Sequence, residues 1–293
     1  MQTPFPPFEP HGPDEELDGG RGPRLREIPF RMLIPNLITV LAICAGLTGI
    51  RLAFENRFEM AVAMVLIAAF LDGIDGRVAR LLKAQSKFGA QMDSLADIVN
   101  FGVAPALVLY VFILDQARSF GWIAAIVFTI AAGLRLARFN VISERQVKSD
   151  WQSYYFVGVP APAGALLVLL PVYLGFLGMP IDKSTGFVAA AYTMFIGFLL
   201  ISRVPVFSGK GLSGGVRRDL VMPFILVAVV YVSLLMSFTW ETLTLTALGY
   251  LETLPFGARA WSRKYGPKSR QNGTHTANDV PAESARTGDD GKD

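Results

Sequence analysis

Eight stretches of mostly apolar residues, each near the length of one membrane crossing, leave this chain few ways to fold. They cover roughly residues 32–54, 58–83, 90–115, 120–142, 156–178, 186–206, 219–238 and 241–258. A helix of about 20 residues crosses the hydrocarbon core of a bilayer. Within that core every backbone N–H and C=O must find a partner inside the protein, which a helix provides and an irregular loop does not. Composition agrees. Hydrophobic residues make up 52% of the chain and charged residues 17%, where an average soluble domain carries about 25% charged residues. The expected fold class is all-α: a polytopic membrane helix bundle with about eight transmembrane helices.

The ends read differently. Residues 1–31 form an N-terminal segment. Met1 to about Pro23 is rich in Pro, Gly and acidic side chains and is expected to be disordered. Arg24 to Met32 mixes Arg with Leu, Ile and Phe, as either a short interfacial helix or a plain basic flank would. The first thirty residues contain no apolar core of the kind a cleavable signal peptide needs. Residues 32–258 hold the apolar segments and make the transmembrane catalytic domain, and residues 259–293 are expected to be a disordered cytoplasmic tail. Cys44 is the one cysteine and lies in an apolar run, so no internal disulfide forms and a buried structural thiol is expected. His11 and His275 sit in the polar ends, which argues against histidine chemistry.

Loop charges set the orientation. Arg77, Arg80 and Lys83, then Arg135, Arg138, Arg145 and Lys148, then Arg203, Lys210, Arg217 and Arg218 fall on alternate connections. The flanks Arg24, Arg26 and Arg31 and Arg259, Arg263 and Lys264 belong to the same side. The opposite side carries Arg51, Arg57, Arg118 and Lys183. By the positive-inside rule both termini are expected in the cytoplasm, with the chain in the cell (inner) membrane. The net charge of +3 therefore speaks to topology, and no nucleic-acid partner is expected.

The second segment is unusual. Its uncharged apolar run, Met60 to Leu71, has 12 residues and then meets Asp72. At about 1.5 Å per residue that is roughly 18 Å, too short to cross alone. Asp72 to Arg80 must complete the crossing and so lie near one face, expected to be the cytoplasmic one. Asp72, Asp75, Gly76, Ala79 and Arg80 share a side of one helix, and Gly89, Asp93 and Asp97 line a stripe of the next. The intervening turn is short, so the stripes can face each other. Carboxylates inside a membrane are expensive and mark function. Four of them with no His or Cys nearby suit the hard cations Mg²⁺, Mn²⁺ or Ca²⁺ rather than Zn²⁺. They suffice for two ions clamping a phosphate. Gly76, Ala79 and Gly89 allow close approach of backbones or a flat ligand, and Arg80 is placed to pair with phosphate oxygens.

The pattern Asp72-x-x-Asp75-Gly76-x-x-Ala79-Arg80-x8-Gly89-x3-Asp93-x3-Asp97 resembles the signature of the CDP-alcohol phosphatidyltransferases at all eight fixed positions. The resemblance implies that Asp72, Asp75 and Asp93 bind metal, and that Asp97 binds metal and acts as general base. It also implies that Gly76, Ala79, Arg80 and Ser86 line the CDP site, with Asn36 and Thr39 in Pro35-Asn36-x-x-Thr39 as its second wall. Asp93 to Ala106, Leu134 to Asn140, Phe156 to Pro162 and Ser202 to Ser208 resemble the membrane-integral phosphatidylserine synthases, a subfamily that eight spans also fits. Asn100 departs from that pattern, which has Ser there. The reaction so implied is transfer of phosphatidyl from CDP-diacylglycerol to the L-serine hydroxyl with release of CMP, using divalent metal. A homodimer is the habit of the family. Serine needs a cation for its carboxylate, and Arg138, Asn140, Arg203 and Lys210 are the candidates at the cytoplasmic ends of later segments. The same chemistry with glycerol 3-phosphate or inositol phosphate would favour a denser basic pocket. An ion-coupled membrane transporter would hold its site near the midplane between two related halves, and no internal repeat is visible. A non-catalytic lipid-binding scaffold would not need the full aspartate set.

Overall fold

The computed structural model describes residues 30–144, 155–202, 205–207 and 218–265. Helices α1 (Phe30–Phe54) and α2 (Phe58–Leu81) form an antiparallel hairpin. Its faces meet through small residues, Ala53, Ala61 and Ala68, all fully buried, as closely packed membrane helices do. Next come α3 (Lys87–Asp97), a π-helical turn (Ile98–Val103) and α4 (Ala104–Phe112), which together make one rod. The widened turn is closed by the Ala104 N–H donating to the Val99 carbonyl. Pro105, which has no N–H to give a regular turn, follows at once.

A short 3₁₀ turn leads into α5 (Ser119–Glu144). Helices α6 (Ala161–Val168) and α7 (Leu170–Phe176) are two halves of one segment, broken where Pro171 interrupts the backbone ladder. Helix α8 (Lys183–Ile201) starts with a capping box in which Asp182 accepts from the Thr185 N–H at 2.8 Å. These hydrogen bonds hold the Asp182 carboxyl below the usual carboxylate range. Helices α9 (Arg218–Ser237) and α10 (Thr239–Tyr265) complete the chain. The departure from pure helix is a two-stranded antiparallel ladder, β1 (Tyr155–Val157) with β2 (Pro205–Phe207), in register Phe156 to Val206. It ties the entry of α6 to the exit of α8.

The eight apolar stretches thus correspond to eight helical segments. Four spans, Leu33–Phe54, Lys87–Phe112, Ser119–Val141 and Lys183–Ile201, are long and apolar enough to cross a membrane, and Ala161–Phe176 and Val221–Ser237 are shorter apolar helices. Helix α2 falls outside that set because its second half carries the aspartates and arginines. Helix α10 continues through 259–265, residues the sequence reading places in the tail. The remainder of both ends lies outside the described residues.

The core lies where α2, α4, α5, α6, α7, α8 and α10 converge, around Tyr173, Phe128, Leu109 and Leu167. Large apolar side chains such as Leu37, Leu41, Ile126, Ile130, Phe195 and Phe198 point outward. That outer apolar surface is what lipid requires, and the chain is an integral membrane protein. Cys44 corrects one expectation: it faces outward on α1 instead of being buried. An apolar run fixes depth in the bilayer, whereas the inner or outer face follows from the helix phase.

Candidate active site

The site forms because a tight turn aims α2 and α3 at each other. Helix α2 ends in a Schellman motif: the Ala84 N–H donates to the Ala79 carbonyl at 2.9 Å and the Lys83 N–H to the Arg80 carbonyl at 3.2 Å. Lys83 takes the left-handed conformation, with φ of 51°. Three residues on, Ser86 caps α3, its Oγ accepting from the Gly89 N–H at 2.9 Å. The chain therefore reverses within a few residues, and the two aspartate stripes close over one volume.

Asp72, Asp75 and Asp93 each place a carboxylate oxygen so that the three lie within 4.8 Å of one another. Asp97, one turn further along α3, lies within electrostatic reach of Asp72. Asp75 is 3% exposed. Its Oδ2 accepts from the Thr39 hydroxyl of α1 at 2.6 Å, while Thr39 also reaches back to the Pro35 carbonyl at 3.1 Å. The other oxygens of this pair, Asp72 Oδ1 and Asp75 Oδ1, are buried with no hydrogen-bond partner among the described residues. Buried carboxylate oxygens without protein donors, clustered at this spacing and with no N or S ligand, fit a hard divalent cation.

Beside the carboxylates is an open cavity of about 430 Å³. Asn36 and Thr39 of α1 wall one side, Asp75, Gly76, Ala79 and Arg80 of α2 another, and Ser86, Gly89 and Asp93 the third. All seven residues expected at the nucleotide line this cavity. Asp72 and Asp97 are not in its wall. Arg80 is exposed at the rim, its Nε donating to the Gly76 carbonyl at 3.2 Å. Gly89 is needed for close approach. A Cβ there would meet Asn36 Oδ1 at 2.9 Å and Ser86 Oγ at 3.1 Å, so any larger residue pushes on two walls at once.

The residues expected at the acceptor are engaged within the protein where the structure describes them. Arg138, expected on the serine carboxylate, sends its guanidinium to the end of α8, donating to the Ile201 carbonyl at 2.7 Å and the Leu200 carbonyl at 3.2 Å. A guanidinium fork suits the unsatisfied carbonyls of a helix C-terminus. Gly158, at φ of 82°, leaves room for it: a Cβ there would lie 3.2 Å from Arg138 Nη2. Asn140 donates to Ser94 Oγ at 3.0 Å. This ties α5 to α3 between Asp93 and Asp97. Arg203 and Lys210 lie outside the described residues.

Three further residues near the site were not among those expected to form it. Arg135, one turn before Arg138, donates through Nε to the Val159 carbonyl and lies within electrostatic reach of Asp97. Tyr250 of α10 lies within electrostatic reach of the same guanidinium. Asn100, in the π-helical turn, is fully buried with both amide atoms unpartnered, packed against Gly46 of α1. Its departure from Ser is visible in the sequence; its burial is not.

Residues 32–202 match the CDP-alcohol phosphatidyltransferase family profile, and residues 219–255 match a second profile described as CDP-alcohol phosphatidyltransferase 2. The first match covers more than half of the chain, which belongs to the CDP-alcohol phosphatidyltransferase family. Among curated relatives, the CDP-diacylglycerol–serine O-phosphatidyltransferase of Mycobacterium leprae is 43% identical over 189 residues, covering 63% of this chain and 61% of that protein. Proteins of the same name from Helicobacter pylori and Bacillus subtilis are 38% and 34% identical over 172 residues, covering 70% and 88% of their own lengths. The chain thus spans about six-tenths of the length of the mycobacterial relatives it matches.

Proposed function

We propose that this protein is a phosphatidylserine synthase, which transfers phosphatidyl from CDP-diacylglycerol to the hydroxyl of L-serine and releases CMP. The observation that carries the reading is the triad of carboxylate oxygens within 4.8 Å, set against a nucleotide-sized cavity. The relatives named for the serine reaction supply the choice of acceptor.

The cavity takes the CDP moiety. Asn36 and Ser86 offer polar contacts, and Gly76, Ala79 and Gly89 leave space for a flat base. Asp72, Asp75, Asp93 and Asp97 would hold Mg²⁺ or Mn²⁺, which supplies charge neutralisation at the pyrophosphate and polarises the reacting phosphorus. Thr39 orients Asp75 through its hydrogen bond. The serine oxygen attacks the phosphorus that bears diacylglycerol. The bond from that phosphorus to the CMP oxygen breaks, and Asp97 accepts the serine hydroxyl proton. Arg80, at the cavity rim, faces the charge that builds on departing CMP. The acyl chains stay in the bilayer and enter between helices, and the site opens to the cytoplasm.

Because Arg138 is engaged at the end of α8, Arg135 takes its place on the serine carboxylate. It lies on α5 within electrostatic reach of Asp97. The test is product analysis of the purified protein with CDP-diacylglycerol and a panel of serine, glycerol 3-phosphate, inositol phosphate and glycerol. Phosphatidylserine with stoichiometric CMP is expected. Product from glycerol 3-phosphate and none from serine would overturn the choice of acceptor.

A further inference from the structure

Tyr250 sits midway along α10, and its ring packs on the edge of the main core. Its hydroxyl is shut off from solvent and has no hydrogen-bond partner among the described residues. A buried hydroxyl left unpaired is unfavourable, so native proteins seldom keep one without a reason. Arg135 lies within electrostatic reach of it, and α10 packs on β2, whose partner strand β1 runs on to the Val159 carbonyl that Arg135 holds. That guanidinium uses Nε on the Val159 carbonyl, and its two terminal nitrogens make no hydrogen bond among the described residues. Arg135 also feels the Asp97 carboxylate, yet the two do not close to an ion pair. Three helices, α3, α5 and α10, therefore bring a carboxylate, an open guanidinium fork and an unpaired hydroxyl toward one region. The fork and the hydroxyl are not bonded to each other, and an oxyanion lying between them would satisfy both.

We propose that Tyr250 is a specificity-determining residue whose hydroxyl donates to the carboxylate of an amino-acid acceptor held by Arg135. This rests on the synthase reading above and deepens it. One guanidinium and one hydroxyl match the single charge and two oxygens of a carboxylate. A phosphate-bearing acceptor brings more charge and would call for a second cation, and Arg138, within electrostatic reach of Arg135, is engaged on the α8 carbonyls. With the carboxylate held on this side, the serine hydroxyl is directed toward Asp97.

The test is Tyr250→Phe, which keeps the ring and its packing and removes only the hydroxyl. A hydrogen bond to a charged group predicts a KM for serine raised by about tenfold or more. The turnover number should stay within about threefold and the KM for CDP-diacylglycerol should not move. L-Alanine, which has the same carboxylate and ammonium but no nucleophile, should inhibit competitively, with a Ki raised by the same factor. An unchanged serine KM in Tyr250→Phe overturns the proposal. So does an equal rise in both substrate KM values, which would show that the hydroxyl only supports packing. If the wild-type protein makes no product from serine, the synthase reading fails and takes this one with it. Failure of Tyr250→Phe in an enzyme that uses serine removes Tyr250 alone.

Discussion

Thr39→Val isolates the support behind the metal site. The substitution removes one hydroxyl from a residue that is 4% exposed and nearly keeps its shape. What is lost is the 2.6 Å hydrogen bond to Asp75 Oδ2, on a carboxylate whose other oxygen already has no protein partner. A hydrogen bond to a charged group contributes about 1.5–3 kcal/mol. At about 1.4 kcal/mol per factor of ten, that is roughly 10- to 150-fold in an equilibrium constant. Loss of an outer partner of a metal ligand typically lowers metal affinity or activity by about 10- to 100-fold, so the two estimates overlap. The assay is CMP release at saturating substrates, after treatment with chelator, as Mg²⁺ or Mn²⁺ is titrated back. Wild type should be silent in excess EDTA and recover. Thr39→Val should need about 10- to 100-fold more metal for half-maximal rate. Thr39→Ser, which keeps the donor, should stay close to wild type. A Thr39→Val titration that overlays wild type would refute the reasoning. Thr39→Ser as impaired as Thr39→Val would assign the effect to the lost methyl group.

Gly89→Ala places a Cβ at 2.9 Å from Asn36 Oδ1 and 3.1 Å from Ser86 Oγ; overpacking of this kind costs about 1–3 kcal/mol. Helix propensity returns up to about 1 kcal/mol, so stability should fall by no more than about 2 kcal/mol while the KM for CDP-diacylglycerol rises about tenfold, and an unchanged KM would count against the nucleotide assignment. Asp97→Asn should lose at least about 10²-fold in turnover while still binding CDP-diacylglycerol, and near wild-type turnover would show that another group is the base. In a Cys44→Ala background, a cysteine at Lys83 should react with impermeant reagents from the cytoplasmic side only. Labelling from the outside would reverse the proposed orientation.

The convergence of the Asp72 to Asp97 carboxylates beside one cavity was legible because its information is local. Two helices joined by a short turn carry Asp72 to Asp97, and helical periodicity puts each group on a predictable face. The structure adds what spacing cannot state. Ser86 does double duty, since the hydroxyl expected at the nucleotide also caps α3. Thr39 reaches Asp75 from 36 positions away in the chain. The helical segments among the described residues were readable from hydropathy for the same reason, since most are long apolar runs and α2 opens on one. The kinks were less so. Pro171 breaks α6 from α7 where a single helix was expected, and the π-helical turn before Pro105 has no hydropathy signature at all.

The surroundings of Arg135 and Arg138 were illegible because their partners are non-local and basic residues there also set topology. Arg135 and Arg138 lie at the end of α5, where the positive-inside rule would place basic residues even in a protein without catalysis. Their spacing of three predicts a shared face but not the partner on the other side. The partner of Arg138 is decided by where α8 ends, 62 to 64 residues later in the chain. Once the α8 carbonyls take Arg138, the adjacent turn of α5 leaves Arg135 on the side of Asp97. Tyr250 was hidden for a related reason: an aromatic residue in an apolar helix reads as core, and only the unpaired hydroxyl distinguishes it. The arrangement makes a separable claim about the two arginines. Arg138→Ala strips a helix terminus of its fork and should lower thermal stability by about 1–3 kcal/mol, with parallel changes in both substrate KM values. Arg135→Ala should raise the KM for serine far more than that for CDP-diacylglycerol. Measuring both variants with both substrates decides the assignment, and a serine-selective defect in Arg138→Ala with none in Arg135→Ala would return the carboxylate to Arg138.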